Sequence, residues 1–372
     1  MNERTNLAEA PVGFKINQRA YGRLLEVTDL RTGFRTAGGL VRAVDGVSLT
    51  LDRGRTLGIV GESGSGKSVL SRSIMGLLPK RNVVREGRVV YDGQDLTALG
   101  AKAQRNLWGV EMSMVFQDPM TALNPVLKIG NQITEGLRHH LGVDRKTANQ
   151  NAVALLRSVG IPEPERRLSQ YPHELSGGMR QRVMIAVALA CGPKLLFADE
   201  PTTALDVTVQ AQILNLLARQ QRERNMAMIL VTHDLGVVAG RADDIAVMYA
   251  GQIVEKAPTA TLFRNVRMPY TEALLRSIPK LDEPRHARLQ AIPGRPPQLV
   301  DPPSGCRFAP RCPYARAKCH VAAPPLVESE PGHEYRCWFP VGSGPTPDGN
   351  GHATRIAAPA VPASPAYSTE SH

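Results

Sequence analysis

No apolar run in this 372-residue chain approaches the ~20 residues that a helix needs to cross a bilayer. The longest candidates, Val183–Cys191 and Met226–Thr232, have the length of buried core segments, so any membrane role is expected to be peripheral. The opening Met1-Asn2-Glu3-Arg4-Thr5-Asn6 lacks the basic-then-apolar build of a secretory leader, which makes the cytosol the expected compartment. Acidic residues are short of the basic ones, 34 against 45, for a net charge of +11. Yet zinc-finger spacing, RNA-binding aromatic motifs and basic heptads are all missing, so the charge does not amount to nucleic-acid recognition and no nucleic-acid partner is expected. Much of the excess is spread as arginine, at 157, 166, 167, 180, 182, 219, 222 and 224, and reads as a solvated, mildly basic surface. No internal repeat is visible.

What is present begins with Gly61-Glu62-Ser63-Gly64-Ser65-Gly66-Lys67-Ser68, which fits G-x-x-x-x-G-K-[ST]. The run follows the strand-like Thr56–Val60 and opens a helix-like Val69–Leu78. In that setting the glycines let backbone amides curl around a polyphosphate and the helix N-terminus adds partial positive charge. Lys67 would reach the β/γ-phosphates, and Ser68 would ligate Mg²⁺. The expected ligand is a nucleoside triphosphate.

At 42% hydrophobic and 21% charged, the chain is a folded globular protein, long enough for one full domain plus a smaller one. Residues 1–22 read as a flexible leader. Leu24–Leu30, Val47–Leu51 and Gly87–Tyr91 alternate like half-buried strands, with Thr36-Ala37-Gly38-Gly39 as a turn, so an antiparallel sheet is expected beside the nucleotide core. From Asn131 to Ser158 the period becomes helical, with Ile133, Leu137 and Leu141 on one face and Ala152, Leu155, Leu156 and Val159 on another. Two strand–helix units follow, Lys194–Asp199 into Val209–Ala218 and Met226–Val231 into Leu235–Ala239, which implies a mostly parallel sheet.

A second nucleotide element lies at Leu195-Leu196-Phe197-Ala198-Asp199-Glu200, an apolar strand ending in two carboxylates. Asp199 would hold the Mg²⁺ shell and Glu200 would act as general base on the attacking water. Alone, such a pair is also met as two solvated acids. Leu175-Ser176-Gly177-Gly178-Met179-Arg180-Gln181 leads into a helical Val183–Ala190 that Gly192-Pro193 stops. Ser176 is a good N-cap, and the exposed amides would bind an anion, although a capped helix start explains the segment equally well by itself.

Taken in order, these elements resemble the ATP-binding subunits of ABC transporters over about residues 24–263. The resemblance implies that Ser176, Gly177 and Gly178 complete the ATP site of an opposing subunit. It implies that Gln117 contacts Mg²⁺ and water, that Asp206 communicates across the dimer, and that His233 contacts the γ-phosphate. Phe34 is the candidate for stacking on adenine. The implied fold class is α/β, a P-loop NTPase (ABC ATPase) core with an antiparallel β subdomain and a helical subdomain at about 120–180, all within 23–265.

After about Phe263 prolines recur, at 269, 279, 284, 293, 296, 297, 302 and 303, and four of the five cysteines fall between 306 and 337. A small Cys-rich C-terminal extension over 266–340 is expected, with a disordered Gly/Pro/Ser/Ala-rich tail over 341–372. Cys306, Cys312, Cys319 and Cys337 are spaced C-x5-C-x6-C-x17-C. Reduced cytosolic thiols and so little apolar content suggest a metal staple, and spacing alone leaves zinc, an iron–sulfur cluster and free thiols open. Cys191 reads as a buried small residue.

The segment Cys306-Arg307-Phe308-Ala309-Pro310-Arg311-Cys312-Pro313, with Met268–Leu275, Ile292-Pro293-Gly294 and Phe116–Pro125, resembles the oligopeptide/dipeptide importer ATPases. Some of these hold a [4Fe-4S] cluster on such cysteines. The resemblance therefore implies ATP, Mg²⁺ and one [4Fe-4S] cluster, with Zn²⁺ as the alternative. Should one cysteine prove free, His320 and His333 are the outside candidates to replace it. Implied partners are a second ATPase subunit in a heterodimer, two transmembrane permeases and an extracytoplasmic solute-binding protein. The implied location is the cytoplasmic face of the inner membrane.

Overall fold

Alternating buried and exposed positions turn the first described residues into a long hairpin. The computed structural model describes residues 22–79, 81–203, 205–278, 292–300 and 302–343. The expected leader up to 21, the tail from 344, Ala204 and the prolines at 279 and 284 lie outside the described residues. Strands β1 (Arg23–Thr36) and β2 (Gly39–Asp52) pair antiparallel up to the turn at Thr36 and Gly39, further than the sequence alternation reaches.

The neighbouring elements are β3 (Thr56–Val60), helix α1 (Lys67–Met75), β4 (Val83–Tyr91), β5 (Gln94–Asp95), α2 (Ala101–Leu107) and β6 (Met112–Val115). A four-stranded antiparallel sheet forms in the order β2-β1-β4-β5. Its buried face, with Leu25, Val27, Val47 and Val89, packs with Leu70 and Ile74 of α1. Helix α1 stops at Gly76, whose φ of 70° reverses the chain, so Leu77 and Leu78 fall outside the helix expected to include them.

A bundle of helices follows: α3 (Pro119–Ala122), α4 (Ile129–Leu141), α5 (Arg145–Ser158), α6 (Pro164–Arg167) and α7 (Gly177–Leu189). The helical stretch of 131–158 is split. Gly142 ends α4 in the left-handed region, and Asp144 caps α5 by accepting from the amides of Lys146 and Thr147. Ile133 and Leu137 are buried as their spacing requires, but Leu141 in the last turn is exposed. Two of the arginines read as surface charge also finish α5: the half-buried Arg182 donates to the Val159 carbonyl at 2.6 Å, and Arg219, exposed as expected, to that of Ser158 at 2.6 Å. The C-terminal dipole of a helix favours such cations.

Then come β7 (Leu195–Asp199), α8 (Val207–Glu223), β8 (Ala227–Thr232), α9 (Leu235–Ala239), β9 (Asp244–Tyr249), β10 (Gln252–Pro258), α10 (Thr259–Arg264) and α11 (Pro269–Arg276). Strands β3, β7 and β8 are buried along their whole length, the pattern of central strands covered on both faces. They pair in parallel with β6 and β9 on either side.

The last elements are α12 (Ala317–Val321), β11 (Val327–Glu330) and β12 (His333–Tyr335). They do not build a core of their own. Strand β12 joins β10 antiparallel, through Glu255 opposite Tyr335 and Lys256 opposite Glu334, and completes an eight-stranded sheet β11-β12-β10-β9-β3-β8-β7-β6. Phe308 is buried against Tyr249 and Tyr270, with both ring centroids at 5.3 Å. Where β12 meets β10, His333 is fully buried and its Nε2 stands 2.9 Å from the equally buried Glu255.

Candidate functional site

The loop between β3 and α1 is shaped by its glycines, two of which have no room for a side chain. A Cβ on Gly61 would stand 2.0 Å from the Met248 carbonyl oxygen, and one on Gly66 would stand 2.1 Å from that of Ala43. Gly64 and Gly66 also hold φ values of 77° and 101°, which L side chains rarely adopt. Lys67 is 4% exposed, and its ammonium donates to the carbonyls of Gly61 at 2.8 Å and Glu62 at 3.0 Å. Burial pushes its pKa down, against the raising influence of Glu200 and Asp199.

Strand β7 delivers both carboxylates to this loop. Ser68 Oγ donates to Asp199 Oδ1 at 2.8 Å, while Asp199 Oδ2 is buried with no hydrogen-bond partner. Burial raises the Asp199 pKa, with the Ser68 bond opposing it. An orphaned carboxylate oxygen beside a hydroxyl, in a mostly buried site, fits a divalent cation and its waters.

Glu200 follows immediately with φ of 45°, a strained value for a non-glycine residue, and its amide donates to the Val231 carbonyl at 2.9 Å. Its carboxylate is a meeting point. Oε2 accepts from Gln117 Nε2 at 3.2 Å and Thr203 Oγ1 at 3.0 Å, and lies 3.5 Å from His233 Nδ1, while Oε1 lies 3.9 Å from Lys67 Nζ. Four chain segments are thus gathered on one carboxylate. Gln117 and His233 are exposed, facing the open side of the site.

Ser176 caps α7, its Oγ accepting from the Met179 amide at 3.3 Å, and the helix starts at Gly177, earlier than the expected Val183. Gly177 is exposed, and Gly178 abuts Val209 of α8. Asp206 caps α8 in the same way, accepting from the Val209 amide at 2.9 Å. Among the described residues no hydrogen bond or ion pair joins 175–181 to 61–68. Phe34 is half-buried on β1 opposite Val41 and Val83.

Cys306, Cys312, Cys319 and Cys337 line one apolar pocket with Phe308, Trp338 and Phe339. All are free thiols, and the Cys306 amide donates to the Cys319 carbonyl at 2.7 Å. Burial raises the pKa of Cys306 above the ordinary thiol value, that of Cys312 to about 11 and that of Cys337 to about 12. Among the described residues no group of three or more His, Cys, Asp or Glu is arranged to hold a metal ion. The two histidines considered as outside ligands are elsewhere: His320 is exposed, and His333 spends its ring on Glu255 and Glu330. Cys191, expected to be buried, is half-buried at the end of α7.

Sequence patterns missed Thr203 on Glu200. They also missed a C-terminal grip on Glu62, whose carboxylate pairs with Arg311 and whose amide donates to Tyr270 Oη at 2.8 Å. No local signal marks these contacts, which span 208 and 249 residues of sequence.

A phosphate loop between a parallel strand and a helix, closed by a strand ending Asp-Glu and flanked by an antiparallel sheet, defines an ABC-type ATPase. Residues 44–203 match the family model described as ABC transporter, and 254–319 match that of the oligopeptide/dipeptide transporter C-terminal region. The chain is 52% identical to the oligopeptide transport ATP-binding protein OppD of Bacillus subtilis, over 85% of this chain and 89% of that one. It is 49% identical to the dipeptide transport ATP-binding protein DppD of Escherichia coli, over 86% and 97%. A dimeric post-hydrolysis structure of the ATP-binding cassette MJ0796 with ADP and phosphate superposes with a TM-score of 0.58 at 26% identity, over 63% of this chain and 99% of that one. The chain belongs to the ATP-binding subunits of the oligopeptide/dipeptide ABC transporters. It is an ATPase whose hydrolysis of ATP drives transport.

Proposed function

We propose that this subunit powers uptake of di- and oligopeptides through two permeases, fed by an extracytoplasmic solute-binding protein. It works at the cytoplasmic face of the membrane beside a second, non-identical ATPase. No helix among the described residues is long and apolar enough to cross a membrane, which suits a subunit that docks on membrane partners. The observation that carries the catalytic reading is the convergence of Lys67, Gln117, Thr203 and His233 on Glu200.

In this reading the amides of Gly61, Ser63, Gly64, Ser65 and Gly66 and the Lys67 ammonium bind the phosphates, and Phe34 stacks on adenine. Ser68, Asp199 and Gln117 would hold Mg²⁺, which when bound spreads the developing charge on the phosphate oxygens. Glu200 takes the proton of the attacking water, held in place by Gln117 and Thr203. His233 turns toward the γ-phosphate. Ser176, Gly177, Gly178 and Asp206 serve the site of the opposing subunit.

A strain lacking this subunit is expected to lose uptake of di- and oligopeptides, and the tagged chain is expected to co-purify with permeases. Lost sugar uptake with peptide uptake intact would remove the peptide assignment and leave the ATPase untouched.

We propose also that Cys306, Cys312, Cys319 and Cys337 hold one [4Fe-4S] cluster, with Zn²⁺ as the alternative. The support is chemical: four soft thiols line one apolar pocket, although among the described residues they are not arranged as a metal-holding group, so the ligand would have to draw them together. The cluster's role is to tie the segment together. Iron, sulfide and zinc analysis of anaerobically purified protein is expected to give an iron–sulfur stoichiometry with absorbance at about 400 nm. One zinc without iron would remove the cluster, and four freely alkylated thiols would remove both.

A further inference from the structure

The segment between Cys306 and Cys312 reaches into the phosphate loop. Arg311, 7% exposed, ends the short 3₁₀ turn Ala309–Arg311 and presents its guanidinium edge-on to Glu62, the second residue of the loop. Nη1 donates to Oε2 at 2.6 Å and Nη2 to Oε1 at 2.8 Å, a two-point fork. The other donors are also engaged, on the Pro293 carbonyl at 2.8 Å, the Ile292 carbonyl at 3.2 Å and Tyr249 Oη at 3.3 Å. A lysine cannot reproduce that set.

Glu62 is held at every polar point. Its amide donates to Tyr270 Oη, and its carbonyl accepts from Lys67 Nζ at 3.0 Å and from the Ser65 amide at 3.2 Å. Tyr270 and Tyr249 lie 4.5 Å apart between ring centroids, packed with Phe308, so both anchors stand on one buried aromatic cluster. Yet Glu62 carries a carboxylate on a loop whose task is to bind a polyanion, and like charges so close oppose one another.

We propose that Arg311 is a positioning residue of the ATP site: it neutralises Glu62 and turns its carboxylate away from the phosphates, while Tyr270 fixes the loop backbone. The C-terminal segment thereby sets the nucleotide affinity of the core. This rests on the ATP-site reading, and measurement on the parent protein separates the two.

The experiment is a titration of the full chain with MgATP, together with ATPase kinetics in the assembled transporter. Arg311→Met is expected to raise the dissociation constant about tenfold or more and to raise KM similarly, with kcat at saturating ATP changed less than about threefold. The double variant Glu62→Gln/Arg311→Met, which removes the stranded carboxylate, is expected to regain affinity to within about threefold of the parent. A merely structural role for Arg311 would give no such rescue. Should Arg311→Met fail to fold, Arg311→Lys keeps the charge without the fork and is expected to weaken binding by about threefold or more. Parent-like affinity in the single variants, or a double variant as weak as Arg311→Met, would overturn the proposal. A parent chain that does not bind MgATP would overturn the site itself.

Discussion

Glu200→Gln in the assembled transporter is expected to bind MgATP as the parent does and to lose ~10²–10⁴ in turnover, the usual effect of removing a general base. The amide is isosteric and still accepts from Thr203 Oγ1 and Gln117 Nε2, so the strained turn at Glu200 and the Asp199–Ser68 bond are expected to survive. What disappears is the proton acceptor for water. The loss therefore belongs in kcat, with nucleotide affinity retained and a closed, ATP-bound pair of subunits accumulating. Single-turnover kinetics with a parallel binding titration check both halves. Turnover equal to the parent would mean that the base is another group.

A comparably large effect, on stability rather than rate, is expected where β12 meets β10. Glu255 is fully buried and accepts from the Arg267 amide at 2.7 Å, the Met268 amide at 3.1 Å and the His333 ring. His333→Ala leaves that carboxylate without its cationic partner and opens a cavity, a loss of about 3 kcal/mol or more. Burial by itself depresses the His333 pKa, but Glu255 and Glu330 outweigh it and the net shift is upward. A raised native pKa stabilises most below the ordinary histidine value of about 6.5, and the contribution is lost as pH rises through the native value. The stability gap between parent and His333→Ala, from denaturant melts over pH 5–9, should therefore be widest at the acid end and narrow upward. A gap that is flat or widens with pH would contradict the charged pair.

The nucleotide core was legible because its chemistry is written in neighbouring residues. Gly61–Ser68, Asp199-Glu200 and the capped start at Ser176 each carry their meaning within eight residues, and the apolar runs of β3, β7 and β8, polar only at an end, mark central strands. The joints were not legible. The four-residue α6 opens at Glu163 with φ of 50°, a backbone state without a local composition signal. Strand β12 is three polar residues, too short for any period, and becomes a strand only because β10 offers an unpaired side. Thr203 reads as one threonine among several until the chain folds back on Glu200. The Arg307–Asp45 and Arg311–Glu62 pairs join positions 262 and 249 residues apart, beyond the reach of any window of sequence.

Those separations bear on how the protein is made. At a synthesis rate of ~5–20 residues per second, Asp45 and Glu62 leave the ribosome many seconds before Arg307 and Arg311 exist. During that interval β10 is a bare edge of the growing sheet, and Tyr249 and Tyr270 await Phe308. An open edge beside uncovered aromatics is a template for pairing with another nascent chain. The catalytic motifs are therefore all translated before the residues that cover this edge and these rings.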